Sequence, residues 1–279
     1  MCSRDRVDLL SAALPRLAEA LRDGDELIVV DSASLSAEVA LAAESAGARV
    51  LRAGQAGASI ARNVGAGAAT SPVVVFTDDD CEPQPGWLGA IAASFATPEV
   101  GFAYGAVLDS GGGPALSVTE HQRAHRFAAG DVRAIDAFGH GANLAVRREA
   151  LTAVGGWEAR LGAGVRLAGG EDADLVLRLL RAGWAGVFEP AAAVRHTTWR
   201  GRRAALRTVW GYGRGAGAVA VRAHRADGDW WLLRHELGPR GFGAIRRDLK
   251  ARYEFGVASG LARTAGVVVG ALLTLGGAA

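Results

Sequence analysis

The stretch Val73–Pro83, VVVFTDDDCEP, decides how the rest of the chain is read. Val73–Thr77 is a short apolar run, rich in β-branched residues, with Pro72 before it. That length and composition favour a buried strand over a helix. Asp78, Asp79 and Asp80 follow where the strand ends. Like charges side by side repel, so such a cluster needs a counter-charge. Crowded carboxylates are tolerated when a divalent cation neutralises them, and hard oxygen ligands suit Mg²⁺ or Mn²⁺, usually shared with a substrate phosphate. Alternation along the strand places Asp78 and Asp80 on one side and Asp79 on the other, so that a D-x-D pair converges on one metal. The plainer reading is a solvated acidic turn.

Working outward, Glu26–Asp31 (ELIVVD) is a second short apolar run, closed by the turn formers Ser32–Ser34. Helical spacing precedes it over Leu9–Leu21 and follows it over the Ala-rich Ser36–Ala46. Arg49–Arg52 reads as a further strand and Ser59–Ala69 as a helix of small residues. Strands alternating with short helices imply an α/β fold with a parallel sheet. Ligands bind beyond the carboxyl ends of such strands, where Asp31 and Asp78–Asp80 stand.

A second acidic group opens GGEDADLVLRLLRAGW, Gly169–Trp184. Leu175 and Leu179, with Val176 and Leu180, recur at helical spacing, and Gly183 is a plausible stop. Glu171 and Asp172 either complement the helix dipole or supply a general base. Asp174 is expected at the dipole too, or paired with Arg178 one turn on.

The bulk figures exclude little. Of 279 residues half are apolar and 22% charged, which is ordinary for a globular chain, and a net charge of +2 does not call for nucleic acid. Basic residues outnumber acids between Arg195 and Arg252, which suits phosphates, an anionic membrane surface or simply a solvated helical face. Two cysteines, Cys2 and Cys81, imply no disulfide framework and fit a reducing cytosol. MCSRDRVDLL lacks the apolar core of a signal peptide, so a cytoplasmic protein is expected. After Arg263 no charge follows, and Thr264–Ala279 reads as a membrane-seated helix, the start of a span, or a helix packed on the domain.

The order VVDSAS, ARNVGAGAA, VVVFTDDDCEPQPGWL, GHGANLAVRREALTAVGGW, GGEDADLVLRLLRAGW resembles the family 2 glycosyltransferases of the GT-A fold, from about Cys2 to Trp199. The resemblance implies a Rossmann-like, mostly parallel α/β sheet flanked by helices over residues 1–200. A helical C-terminal region then spans 201–279, resting on a membrane surface or not. It implies transfer of a sugar from a nucleotide-sugar donor to the hydroxyl of a glycan, lipid-linked or small-molecule acceptor, with inversion and a divalent cation. Carried over residue by residue, Asp31 contacts the nucleotide base, and Arg62 and Asn63 flank the nucleotide pocket. Asp78 lies near ribose and phosphates with Asp79 beside it, and Asp80 meets the metal. Gly141 and Asn143 line the donor sugar. Asp172 is the general base with Glu171 its neighbour, and His196 approaches the metal or diphosphate. Trp157 and Trp184 pack in the core or line the acceptor cleft. His121, His125 and His140 have no metal spacing.

Two departures stand out. The family begins with a full apolar strand, and only MCSRDR, resembling that strand's end, is present. The Q-x-x-R-W motif of processive members is replaced by HTTWR at His196–Arg200, which implies single transfers. Arg207–Ala218 reads as a basic, glycine-rich loop, from which Arg214 could touch a phosphate. Trp230–Leu233 and Phe242–Leu249 read as amphipathic helical pieces. Two rival readings are a non-catalytic nucleotide-sugar or glycan binder, favoured by the absent strand, and a D-x-D phosphohydrolase.

Overall fold

The computed structural model describes residues 1–114, 116–119 and 123–277, and the chain divides into two compact units. The first comprises Met1–Gly111, Ser117–Glu158 and Leu175–Thr198; the second comprises Gly112–Leu116, Ala159–Asp174 and Trp199–Ala279. The second unit therefore takes Ala159–Asp174 from the stretch assigned by sequence to the first domain.

The first unit opens with β1 (Cys2–Ser3), α1 (Val7–Ala20), β2 (Ile28–Asp31), α2 (Glu38–Ser45), β3 (Arg49–Arg52), α3 (Ala58–Ala68) and β4 (Val73–Thr77). Strands β1, β2 and β3 pair in parallel in that order. The sequence reading holds here for β2, a buried apolar run between helices, and for β3, whose Val50 and Leu51 lie between two exposed arginines. Cys2 also bridges Asp78 in parallel, so β1 stands between β2 and β4.

β4 opens a second, six-stranded sheet, which is mixed. It continues through β5 (Cys81–Pro83), α4 (Trp87–Ser94), β6 (Val100–Asp109), β7 (His125–Phe127), β8 (Asn143–Arg147), α5 (Arg148–Ala153), α6 (Glu171–Arg181) and β9 (Ala185–His196). The order is β4-β8-β6-β9-β5, with β7 on β9; only β6 and β9 run parallel. Val100–Val107 is buried throughout. Gly186 lies against the Phe102 ring, where a Cβ would clash. One core cluster joins Val107, Ala145 and Val194 to Trp87 and Ile91 of α4; a second joins Leu10 and Leu14 of α1 to Val29 and Val39.

The second unit is helical: α7 (Arg202–Asp227), α8 (Trp231–Leu237), a short π-type turn, α9 (Ala244–Lys250) and α10 (Glu254–Leu275). Arg207–Ala218, read as a loop, is the middle of α7. Glycine lowers intrinsic helix stability, yet here every second residue from Gly211 to Gly217 meets a neighbouring backbone. Gly211 and Gly215 face Ala168 and Gly169, while Gly213 and Gly217 face the carbonyls of Arg263 and Val267 on α10. Two residues turn a helix by about 200°, so the alternation supplies two opposite faces without side chains. On α10, Gly266 and Gly270 answer with their own Cα atoms against Trp210 and Arg214. Small residues of this kind let two helix backbones touch.

Candidate active site

The site begins at the carboxyl end of β4. The chain leaves Thr77, turns through Asp78–Asp80 and enters β5. β5 pairs antiparallel with β9, setting Cys81 opposite His196. That register brings His196 Nε2 to 3.5 Å from Asp80 Oδ1. The imidazole is buried, and its Nδ1 makes no hydrogen bond.

The three aspartates find their counter-charges in two arginines. Arg6, from the turn after β1, lies 2.6 Å from Asp79 and 3.2 Å from Asp80. Asp79 and Asp80 thus share one guanidinium, and the simple alternation expected of an extended D-x-D does not persist into the turn. Burial pushes the Asp79 carboxyl up to about 7, against the pull of Arg6. Asp78 takes a different partner: Arg62 of α3 donates to its Oδ1 at 3.0 Å. Burial acts to raise the Asp78 pKa, but Arg62 and Arg6 outweigh it and hold the carboxyl below its ordinary range. The Arg62 guanidinium also lies 4.7 Å from the centroid of the Trp157 ring, which stands edge-on to Phe76. Cys81, 0% exposed, donates its thiol to Asp80 Oδ1 at 3.9 Å; burial pushes its pKa well up, so it is a protonated spacer rather than a nucleophile.

Asp31 ends β2 fully buried. Its Oδ1 accepts the Ser34 N–H at 2.8 Å and its Oδ2 pairs with Arg52. Asp5 accepts the Leu35 N–H at 2.7 Å, so the turns after β1 and β2 are clasped together. Asp5 and Ala33 both adopt positive φ, 51° and 57°, in those turns.

Two asparagines sit in the framework. Asn63 donates to the Trp157 carbonyl and accepts the Trp157 N–H, both at 2.8 Å. Asn143, 0% exposed, accepts the Trp87 indole N–H at 2.9 Å and donates to the carbonyls of Ala106 and Ala192. Gly105 makes that reach feasible, since a Cβ there would occupy the amide's place. Gly141 and Ala142 lie in the turn before β8, buried beside it. Trp157 is a core residue that also backs Arg62.

Glu171 and Asp172 open α6, and by contacts they belong to the second unit. The two glycines before them have positive φ, 136° and 76°, and pack on Tyr212 and Gly215 of α7. Asp172 Oδ1 accepts the Ala173 N–H at 2.8 Å. Asp174 pairs at 2.6 Å with Arg222 of α7, and Arg178 donates to the Val154 carbonyl.

Arg6 and the Asp5 clasp were not foreseen; nothing in local spacing links position 6 to position 79. Among the described residues, no three His, Cys, Asp or Glu side chains form a group that could hold a metal ion. Asp80 and His196 nevertheless offer an oxygen and a nitrogen side by side. This two-donor set fits Mn²⁺ or Mg²⁺ when phosphate oxygens complete the shell. His121 lies outside the described residues.

The mixed sheet, its flanking helices and the carboxylates at the strand ends define a glycosyltransferase of the GT-A fold. The chain belongs to glycosyl transferase family 2, whose model matches residues 1–155. It is 29% identical over 181 residues to the pre-mycofactocin glycosyltransferase of Mycobacterium tuberculosis, covering 60% of this chain and 35% of that protein. The chain thus spans about a third of the length of that curated relative. Two solved structures share the fold. The mannosyltransferase PcManGT of Pyrobaculum calidifontis, in complex with GDP-Man and Mn²⁺, has a TM-score of 0.66 at 19% identity, over 98% of this chain and 85% of that one. S. aureus TarS has a TM-score of 0.62 at 15% identity, over 85% of this chain and 42% of that one.

Proposed function

We propose that the chain transfers one sugar at a time from a nucleotide-sugar donor to an acceptor hydroxyl, with inversion and with a divalent cation. The observation that carries this reading is the cluster at the end of β4, where three aspartates, two arginines and His196 meet. Asp31 takes the nucleotide base, Arg62 the ribose and phosphate side with Asn63 fixing the wall behind it, and Gly141 the donor sugar, with Asn143 holding that wall. Asp80 and His196 would hold the cation, with Asp78 on the phosphate side and Asp79 behind them. A bound Mg²⁺ or Mn²⁺ supplies positive charge to the leaving diphosphate.

The chain's own residues do the rest. Arg6 and Arg62 are fixed cations beside the charge that develops on the diphosphate, already oriented before the reaction. Asp172, with Glu171 next to it, accepts the proton of the acceptor hydroxyl as its oxygen attacks the anomeric carbon. The new carbon–oxygen bond forms on the face opposite the leaving group. The old bond breaks, and its electron pair departs with the nucleoside diphosphate. One displacement inverts the centre.

Calorimetry with UDP-, GDP- and dTDP-sugars, with and without Mn²⁺, tests this reading. Metal-dependent binding that Asp80→Asn abolishes is expected. Asp172→Asn should keep donor binding and lose transfer. Binding with no transfer to any acceptor hydroxyl would favour the non-catalytic reading instead.

We place the enzyme in the cytoplasm, at the inner face of the membrane, working on a glycan or lipid-linked acceptor. The pattern of α10 supports this. Its outward positions Leu261, Val268, Leu272 and Leu275 are exposed, while its buried positions are glycine and threonine apart from Val267 and Ala271. The helix is long and apolar enough to cross a membrane, with only 33% of its apolar window buried. Arg246, Arg247 and Lys250 of the neighbouring α9 suit anionic headgroups. Leu272→Glu should reduce co-sedimentation with anionic vesicles; unchanged co-sedimentation would sink the placement.

A further inference from the structure

α7 carries its charges unevenly. From Trp199 to Ala226 the chain has seven arginines and no acid. Two of the seven are engaged far along the helix: Arg222 with Asp174 at 2.6 Å, and Arg225 with the Thr274 carbonyl at 3.1 Å. Arg200 lies over the Trp199 ring, 4.2 Å from its centroid. Among the described residues, Arg202, Arg203, Arg207 and Arg214 have neither an ion pair nor a side-chain hydrogen bond. All four stand in the first half of α7, whose N-terminal end is the positive pole of the helix dipole and holds no acid in its first turn. Like charges gathered there destabilise the free protein, and an anion placed among them removes that cost.

Three of the four form a row. Arg203, Arg207 and Arg214 follow at i, i+4 and i+11, which sets them on one face within an arc of about 40° and along about 16 Å of the axis. Arg203 and Arg207 are exposed; Arg214 is half-buried, and its Nε is buried without a hydrogen-bond partner. The row flanks a defined part of the second unit. Gly211, one turn beyond Arg207, packs on Ala168, and Gly169 packs on Tyr212. That loop leads directly into Glu171 and Asp172 at the start of α6. The charge of the leaving diphosphate is already assigned to Arg6 and Arg62 of the first unit, beside Asp80 and Asp78. The row on α7 is therefore left for a different anion, one that lies on the side of the proposed base.

We propose that Arg203, Arg207 and Arg214 bind a phosphate group of the acceptor, so that the acceptor is a phosphate-bearing molecule rather than a neutral glycan. Guanidinium groups match phosphate because their planar forks donate paired N–H groups to its oxygens. The inference names the acceptor of the proposed transfer and rests on that reading. A single phosphate group fits the row better than a membrane surface does. A flat layer of headgroups meets exposed cations only, whereas this row ends at a half-buried guanidinium. A lipid-linked phosphate and a soluble sugar phosphate share this chemistry, and the experiment separates them.

The experiment follows the arginine Nε–H signals of the full chain by NMR in metal-free buffer, during titration with geranyl phosphate, glucose 6-phosphate and geraniol. A phosphate should move the Arg207 and Arg214 signals, and the double variant Arg203→Gln/Arg207→Gln should bind it about 10-fold more weakly or worse. Calorimetric donor binding should be the same in both proteins. Tighter binding of geranyl phosphate assigns a lipid-linked phosphate, and tighter binding of glucose 6-phosphate a soluble one. No movement with either, or equal binding of geraniol, would overturn the proposal. Signals that respond only to vesicles of phosphatidylglycerol and phosphatidylcholine, or more strongly to single-stranded oligothymidylate, would make the row a membrane or nucleic-acid surface and overturn it too. Thermal unfolding controls for folding. The double variant should melt no lower than the parent, because it removes cations from the positive end of a helix. A fall of several degrees would show that these arginines hold the fold instead. Transfer assays separate the two readings. Phosphate binding at the row with no transfer to any hydroxyl would sink the transfer reading and the acceptor role together, leaving the phosphate site. Transfer to a neutral acceptor with a KM that the double variant leaves unchanged would sink the acceptor phosphate alone.

Discussion

Arg6 meets Asp79 at 2.6 Å, and the carboxylate it meets is wholly buried. Removing the arginine alone leaves a buried carboxylate without its main counter-charge. Arg6→Ala should lower stability by about 3 kcal/mol in urea unfolding. Asp79→Asn added to that variant should recover much of the loss, since it removes the stranded charge. A double variant no more stable than the single one would refute this account of the cluster.

Arg62 is held from two sides, by Asp78 and by the face of Trp157. Arg62→Met keeps the stem's packing and removes the charge. It should cost about 2 kcal/mol and let the Asp78 pKa rise, since burial then acts with less opposition. NMR titration of the Asp78 carboxyl reads the second effect directly.

Asn143 ties three strands and a helix together through Trp87, Ala106 and Ala192. Asn143→Leu has similar bulk and strands a buried donor and two acceptors. At about 1–3 kcal/mol for each unsatisfied group, the protein should lose most of its stability. Thermal unfolding checks this without any assay of transfer.

Glu26 accepts the Thr70 and Ser71 N–H groups and the Thr70 hydroxyl, which hold its carboxyl below the ordinary range although burial acts the other way. A depressed folded pKa adds stability above the unfolded value of about 4.5, and that stability disappears as pH falls through the folded value. Glu26→Gln should therefore lower Tm most near pH 7, and the gap to the parent should close below pH 4.5. A gap that is constant with pH would show that the charge is irrelevant.

The α7–α10 seam allows a contrast between two faces of one hairpin. Gly217→Ala forces a Cβ onto the Val267 carbonyl and should cost about 1–3 kcal/mol. Leu272→Ala, on the exposed face, should change solution stability by less than about 0.5 kcal/mol. Calorimetric unfolding separates the two.

Much of the first half of the fold was legible because its signals are local. β2 and β4 are short apolar runs, β3 follows a helix closed by Gly47, and Val73–Thr77 matches the expected strand residue for residue. The later strands were harder to read. β6 and β9 share the same buried sheet, and neither alternates cleanly between apolar and polar residues. At the site, residue types were readable but partners were not. Asp174 takes Arg222, 48 residues away, as a partner that spacing along its own helix does not reveal. Arg6 reaches Asp80 across 74 residues. Asn143 carried a motif position, and only the packing of β6, β8 and β9 showed its amide occupied within the framework. The glycines of α7 argued for a loop by propensity, and close backbone approach overrides that propensity.

The alternating glycines of α7 also make its residue count a constraint. Inserting or deleting one residue between Gly213 and Gly215 rotates everything downstream by about 100° relative to what lies upstream. Such a rotation breaks each of the two glycine pairs across the helix axis. Gly211 and Gly215 would no longer look the same way, and neither would Gly213 and Gly217. Point substitutions can be absorbed on one seam while the other survives. A frame-preserving indel of a single codon harms both at once. Among natural variants, length in this helix should thus be more strictly kept than the identity of its arginines, with changes of a whole turn the only tolerated steps.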